Sequence, residues 1–139
     1  MTYDDDNIFA KILRGEIPSQ MVYEDDATFA FMDIMPRAPG HVLVIPKTPA
    51  RNILDASPAQ LAGCIATSQK MAQAVTQAFA ADGITLQQFS EDAGGQIVFH
   101  LHFHVIPRHS GVSIGRPGVM GDMEQIGANA DKIRAVLTG

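Results

Sequence analysis

His-Leu-His-Phe-His-Val-Ile, residues 100–106, alternates histidine with apolar residues. Successive side chains of a β-strand point to opposite faces, so a strand here places His100, His102 and His104 on one face. The apolar residues between them then face a core, whereas on a helix the same residues would spread around the axis. Polar strand faces more usually carry Lys, Thr or Glu. Three imidazoles together on a rigid element therefore predict a site for nucleophilic or metal chemistry near neutral pH.

The composition is that of one globular domain. The chain has 139 residues, of which 46% are hydrophobic and 18% are charged, enough to bury a core. The net charge of −5 disfavours nucleic-acid binding, which needs clustered Lys and Arg. The single cysteine, Cys64, excludes an internal disulfide and a Cys-rich zinc module. The acidic N-terminus lacks an apolar stretch and no apolar strand is long enough to span a bilayer, so we expect a cytoplasmic protein without a membrane partner.

Hydrophobic periodicity and turn residues predict alternating short strands and separate helices. In chain order, we expect a short helix over 8–13, strands over 21–24, 28–32 and 41–45, a long helix from the N-cap Ser57 to about 82–83, strands over 84–89 and 96–106, and a last helix over about 123–137. The Gly-rich segment 109–121 is expected to be a mobile loop, and Pro107 to end the histidine strand. Meandering strands with segregated helices favour an α+β fold with an antiparallel sheet.

Further motifs accompany the triad in a fixed order. Gly-Gly-Gln at 94–96 precedes it and Pro-Arg at 107–108 follows it, while upstream motifs lie in 8–12, 15–18, 31–34 and 38–47. Together, over about residues 7–108, they resemble the histidine triad (HIT) nucleotide-binding family, especially its Hint-like branch. The resemblance implies a single HIT domain over 1–139, with a five-stranded antiparallel sheet, one long and one or two short helices, and a variable tail over 109–139.

The resemblance also implies an activity and unequal roles for the histidines. Family members hydrolyse or transfer at the α-phosphate of a nucleotide, commonly a purine nucleoside phosphoramidate or a related conjugate. By resemblance, His102 is the nucleophile that forms a nucleotidyl-histidine intermediate, and His104 binds the phosphate or the leaving group. His100 and His41 support the site. A neutral imidazole is a good nucleophile at pH 7, which is consistent with this role. No cofactor is implied, and the partners implied are a purine nucleotide and a second copy of the chain.

A second set of residues matches the nucleotide contacts of the family. Asp33 and Ile34 match contacts to the ribose and the base. A carboxylate can accept two ribose hydrogen bonds, but the residues alone equally allow Asp33 to be a turn-forming aspartate before Pro36. Glycine permits close approach of the backbone to a phosphate. By resemblance, the remaining candidate nucleotide-binding residues are Ser90, Gly95, Gln96 and Ile97.

Two departures from the family pattern lie near these contacts. Phe89-Ser90 stands where members usually have Asn or Gln, and Ile97 stands where many have Ser or Thr. Ile97 supplies no hydroxyl to the α-phosphate, which leaves only its backbone N–H. Because the loss of one such donor can cost on the order of a hundredfold in rate, we expect slow turnover or a different preferred substrate.

A third departure concerns zinc. Some bacterial members begin Cys-Ile-Phe-Cys and bind structural zinc with two further histidines, which match His41 and His100. This chain has Asn7-Ile8-Phe9-Ala10 instead, and two histidines alone do not complete a tetrahedral site. We therefore expect no structural zinc and no metal ligand.

Three alternatives to a phosphoramidase remain open on the sequence. The first is a dinucleoside polyphosphate hydrolase with the same fold. The second is a module that binds nucleotides with little turnover, because of Phe89 and Ile97. The third is a catalytic zinc site made of three histidines, against which no acidic partners are evident near His100, His102 and His104.

Overall fold

A five-stranded antiparallel sheet carries the histidines in the computed structural model, which describes residues 2–139. The strands are β1 (Met21–Glu24), β2 (Thr28–Met32), β3 (Val42–Pro46), β4 (Gly83–Gln87) and β5 (Phe103–Arg108), in the spatial order β1-β2-β3-β5-β4. The helices are α1 (Ile8–Leu13), α2 (Pro58–Phe79) and α3 (Met123–Thr138). The predicted α+β class, with five antiparallel strands and one long helix, is confirmed.

Strand alternation buries apolar side chains on both faces of the sheet. In β3 every residue is buried. Val42 and Val44 lie in the larger core with α2 and α3, together with Leu101, Phe103 and Val105 from the histidine segment. Leu43 and Ile45 point to the other face, where they pack with Phe9 of α1 and Phe31 of β2. The two faces of β3 are thus covered by different helices, as the period of two requires.

The long helix begins as predicted and ends earlier. Ser57 caps it and forms a capping box with Gln60, which satisfies two backbone donors at the first turn. The helix ends at Phe79 rather than near 82–83, because Ala80 adopts a left-handed conformation with φ 49°. Cys64 is fully buried in the core, and burial raises the pKa of its thiol to about 12, so it is a packing residue.

The histidine strand is shorter than predicted and lies further along the chain. The expected strand over 96–106 is wrong, because β5 spans Phe103–Arg108 and residues 96–102 are irregular. Within that stretch, Leu101 N–H donates to the carbonyl of Ala50 in a neighbouring loop. Pro107 does not end the strand either. At Pro107 only β4 pairs with β5, since the β3 pairing covers Phe103–Val105, and a proline is tolerated where no donor is needed.

The C-terminal segment packs against the rest of the domain. Ile126 and Ile133 of α3 are buried in the larger core, and Arg134 donates to the carbonyl of Met21 in β1. The segment expected to be a mobile loop is also attached, because Gly115 N–H donates to the Arg37 carbonyl and Gly121 N–H to the Ile34 carbonyl. No helix within residues 2–139 is both long and apolar enough to cross a membrane.

Candidate active site

The register of the sheet brings three polar residues to the face covered by α1. Met32 pairs with Val42, and one step further Asp33 N–H donates to the His41 carbonyl. Asp33 and His41 are therefore neighbours on the same face. His104 of β5 pairs with Leu43, two residues after His41, so its side chain points to the same face.

The triad histidines do not form one cluster on a strand. The rings of His102 and His104 lie 5.0 Å apart, and those of His41 and His104 lie 5.1 Å apart. His100 precedes the strand, and its ring bonds to the Tyr3 hydroxyl and to the Pro46 carbonyl. The alternation argument therefore holds for His104 only, while loop geometry places His100 and His102.

One backbone carbonyl determines which nitrogen of His102 carries the proton. His102 Nδ1 lies 2.7 Å from the His100 carbonyl oxygen, which can only accept, so Nδ1–H donates and Nε2 keeps its lone pair. His102 Nε2 has no hydrogen-bond partner within residues 2–139. The side-chain atoms there that are both buried and unpaired are Ser68 Oγ and Gln87 Oε1. Because His102 Nε2 is unpaired but not one of these, it has access to solvent.

A backbone amide sets the opposite tautomer on the neighbouring histidine. Arg37 N–H donates to His41 Nδ1 at 3.0 Å, so neutral His41 carries its proton on Nε2. That proton points to His104 Nδ1 at 2.9 Å, and His104 in turn carries its proton on Nε2. A lone pair on His102 and an N–H donor on His104 thus stand side by side.

Burial keeps these imidazoles neutral at pH 7. It lowers the pKa of His41 and of His104 to about 3 and that of His100 to about 4. It also lowers the pKa of His102, partly opposed by the bond to the His100 carbonyl. Burial raises the pKa of Asp33 to about 6, partly opposed by the bond from Met35 N–H. A neutral His102 is the form that a nucleophile requires.

The cluster of Asp33, His41 and His104 is the one group within residues 2–139 whose spacing would suit a metal ion, with ligand atoms within 4.8 Å of one another. The hydrogen bonds argue against an ion. Because Arg37 N–H occupies Nδ1 of His41, neutral His41 has a proton rather than a lone pair at Nε2. His100 does not belong to this cluster, so the two histidines matched to zinc ligands have different partners.

Asp33 and Ile34 are both partly exposed to solvent. Asp33 Oδ1 accepts from Met35 N–H at 2.8 Å, and Oδ2 lies 3.4 Å from His41 Nε2. One oxygen thus forms the turn and the other faces the histidines, so the two alternatives for Asp33 do not exclude each other. The Ile34 side chain is 37% exposed.

The loop before the triad is held by more hydrogen bonds within the protein than expected. Gln96 is buried, and its amide bonds to Arg51, Asn52, Glu91 and Val98. Its backbone N–H and that of Gly95 bond within the turn. These donors are therefore already used within the protein, and contact of Gly95 and Gln96 with a nucleotide stays a prediction. Ile97 is 84% exposed and keeps a free N–H within the described chain, and Ser90 Oγ donates to Gln88.

Several contacts at the candidate site were missed from the sequence. Arg51 holds Glu91 through two hydrogen bonds, and Glu91 adopts a φ of 64° at the start of the loop. The rings of Phe9 and Phe89 pack against His102 and His104 at 5.0 and 5.5 Å. No local pattern reveals these contacts, because each joins residues far apart in the chain.

Comparisons with known proteins identify the family to which this fold belongs. A HIT domain model matches residues 14–111. A Hit-like protein from Bartonella henselae has a crystal structure with a TM-score of 0.93 and 55% identity, covering 98% of this chain and 99% of that one. Purine nucleoside phosphoramidase of Escherichia coli K12 is 41% identical over 105 residues, 73% of this chain and 87% of the relative. Adenylylsulfatase HINT3 of Arabidopsis thaliana is 35% identical over 107 residues, 77% of this chain and 54% of the relative. The family resemblance of the motifs is confirmed, and the chain belongs to the HIT domain family.

Proposed function

We propose that this protein is a hydrolase or transferase that acts at the α-phosphate of purine nucleoside phosphoramidates or related nucleotide conjugates. The observation that carries the proposal is the pair of tautomers at His102 and His104. His102 Nε2 has an open lone pair, because Nδ1–H is held by the His100 carbonyl. His104 Nδ1 accepts from His41, which leaves Nε2–H of His104 free to donate to a phosphate oxygen or to the leaving group.

The reaction follows in two displacements. His102 Nε2 attacks the α-phosphorus, the bond from phosphorus to the leaving group breaks, and a nucleotidyl-histidine forms. Water then attacks the same phosphorus and releases the nucleotide and free His102. The leaving nitrogen takes a proton from solvent as its bond to phosphorus breaks. The attacking water returns a proton to solvent when its oxygen binds phosphorus and the bond to His102 Nε2 breaks, so one water is consumed overall. The buried Nδ1–H bond keeps the same tautomer ready after each cycle.

Substitution of the nucleophile tests the proposal. His102→Ala abolishes hydrolysis of adenosine 5′-phosphoramidate, and AMP binding largely survives because the ring is removed without a new charge. His109→Ala is the matched control, since His109 bonds to the Phe79 carbonyl at the end of α2. Mass spectrometry of quenched wild-type reactions should show His102 carrying one nucleotidyl group. Full activity of His102→Ala would refute the nucleophile assignment.

A second candidate is a module that binds nucleotides with little turnover. Phe89 packs against His104, where the family usually has an amide, and Ile97 offers no hydroxyl. Tight binding of AMP or GMP with no trapped nucleotidyl-histidine would favour it. Substrate profiling should include dinucleoside polyphosphates and adenylyl sulfate, since a relative is named for the latter.

The proposal includes the contacts and partners expected by resemblance. Asp33 and Ile34 contact the ribose and the base, Ser90 and Ile97 lie beside the phosphate, and the site needs no metal. We also propose a cytoplasmic homodimer. β4 is an edge strand with Leu86 48% exposed, and such an edge can pair with another copy. Light scattering measures whether the mass is twice 14.9 kDa.

A further inference from the structure

We propose that Tyr3 is a positioning residue for His102 and acts through His100. Its catalytic consequence rests on the proposed function, in which His102 is the nucleophile. Tyr3 lies in the acidic N-terminal segment, to which the sequence assigns no role, and 97 positions separate it from His100.

A hydrogen bond joins the side chains of Tyr3 and His100. The Tyr3 hydroxyl lies 2.6 Å from His100 Nδ1, and the two rings meet edge to face at 5.6 Å. His100 Nε2 lies 2.9 Å from the Pro46 carbonyl oxygen. Because that oxygen only accepts, Nε2 carries the proton and Nδ1 accepts from Tyr3. Both nitrogens of His100 are thereby held, one by the N-terminal segment and one by the end of β3.

His100 is linked to the proposed nucleophile, His102, through its backbone carbonyl. The His100 carbonyl accepts from His102 Nδ1–H at 2.7 Å, and this bond selects the reactive tautomer. Residues 100–102 precede β5 and are not held in the sheet. The peptide between His100 and Leu101 is held on one side by the Leu101 N–H bond to the Ala50 carbonyl. The ring of His100, held at both nitrogens, is the second constraint on the position of the His100 carbonyl beneath His102.

Solvent does not replace the Tyr3 hydroxyl as the hydrogen-bond donor to His100 Nδ1. His100 is only 1% exposed, so loss of the hydroxyl leaves Nδ1 as a buried acceptor without a partner, which is costly. The N-terminal segment has a separate anchor, because Arg51 donates to the Thr2 carbonyl at 3.0 Å. Removing the hydroxyl alone therefore changes the His100 bond while the ring and the backbone of the segment keep their contacts.

The test compares Tyr3→Phe with Tyr23→Phe. Tyr23 is the matched control, since its hydroxyl donates to Asp25 in an exposed pair outside the site. In Tyr3→Phe we expect kcat for adenosine 5′-phosphoramidate to fall about five- to tenfold, the rate equivalent of one neutral hydrogen bond, with KM unchanged. In nitrogen-detected NMR, the His100 Nδ1 signal and the His102 Nδ1–H signal should both shift. Tyr23→Phe should leave kcat and both signals as in the wild type.

Failure of the role of Tyr3 and failure of the proposed function give different results. An unchanged His102 Nδ1–H signal, an unchanged kcat, or an equal fall of kcat in both variants overturns the role of Tyr3. If the wild type turns over none of the substrates, the proposed function fails. The His102 signal in Tyr3→Phe then decides by itself whether Tyr3 positions that ring.

Discussion

At the scale of single residues, backbone groups decide what each imidazole can do. The carbonyl of His100 leaves His102 with a lone pair at Nε2, and the amide of Arg37 leaves His104 with a proton at Nε2. Chemically identical side chains thus become an electron-pair donor and a hydrogen-bond donor. In the proposed site, the exposed Ile97 stands where many family members have a hydroxyl-bearing residue.

Ile97→Ser should raise activity. The substitution restores a hydroxyl beside the free N–H of residue 97, and because Ile97 is 84% exposed it costs little stability. We expect kcat/KM for adenosine 5′-phosphoramidate to rise about tenfold. This is smaller than the full effect that one such donor can have on the rate, which is on the order of a hundredfold. Steady-state kinetics measure it, and Ile53→Ser is the control at a second exposed isoleucine, which is 44% exposed. Equal rates for wild type and Ile97→Ser would remove residue 97 from the phosphate contacts.

At the scale of elements, the C-terminal segment braces the loop between β2 and β3. Gly115 N–H donates to the Arg37 carbonyl at 2.7 Å, and Arg37 Nε donates back to the Gly115 carbonyl at 2.9 Å. The N–H of Arg37 in turn holds His41. A segment expected to be mobile therefore supports the residue that sets the tautomer of His41.

Gly115→Ala should disturb this brace. A Cβ there would lie 3.0 Å from the Arg37 carbonyl oxygen, so the loop must shift at a cost of about 1 kcal/mol. We expect kcat to fall about fivefold with a small loss of thermal stability. Gly127→Ala is the control, since a Cβ on that residue meets the Gln20 side chain at an ordinary 3.5 Å. If both variants keep wild-type kcat, the brace does not contribute to the site.

At the scale of the whole molecule, the buried histidines of the site make the folded state less stable in acid. His41, His100, His102 and His104 all have a pKa lowered by burial from the ordinary 6.5. The folded state therefore binds fewer protons than the unfolded state, and the free energy of unfolding falls as pH drops from about 6.5 toward about 3. Asp33, with its pKa raised from 3.8 to about 6, acts in the opposite direction over a narrower range.

Acidification should therefore destabilise the protein well above the pH at which ordinary carboxylates titrate. We expect the melting temperature to fall steadily from pH 6.5 to 4.5 and to change little between pH 7 and 8. Scanning fluorimetry across this range measures it. His41→Asn, which removes one buried base, should make the decline shallower. A melting temperature that is constant down to pH 4.5 would contradict burial of these histidines in the neutral form.

Much of the fold follows from local pattern. The apolar runs of β2 and β3, the Ser57 capping box and the apolar face of α3 are set by near neighbours in the chain, and the structure agrees. The predictions failed where a distant group decides. Residues 96–102 are rich in apolar and β-branched residues, as strands are, but Gln96 bonds to Arg51 and Asn52, and Leu101 N–H to Ala50. These bonds keep the segment out of the sheet.

The sequence by itself determined which chemistry is present: the histidines at 100, 102 and 104, the buried strands, and the loss of the cysteines at 7 and 10. The tertiary structure decided how these groups are used. It brought Tyr3 into a hydrogen bond with His100, Arg37 with His41, and Gly115 with Arg37. It left His102 Nε2 without a hydrogen-bond partner. The physical reason is that a tautomer depends on hydrogen-bond partners, and these partners come together only when segments as far apart as Tyr3 and His100 meet in the folded chain.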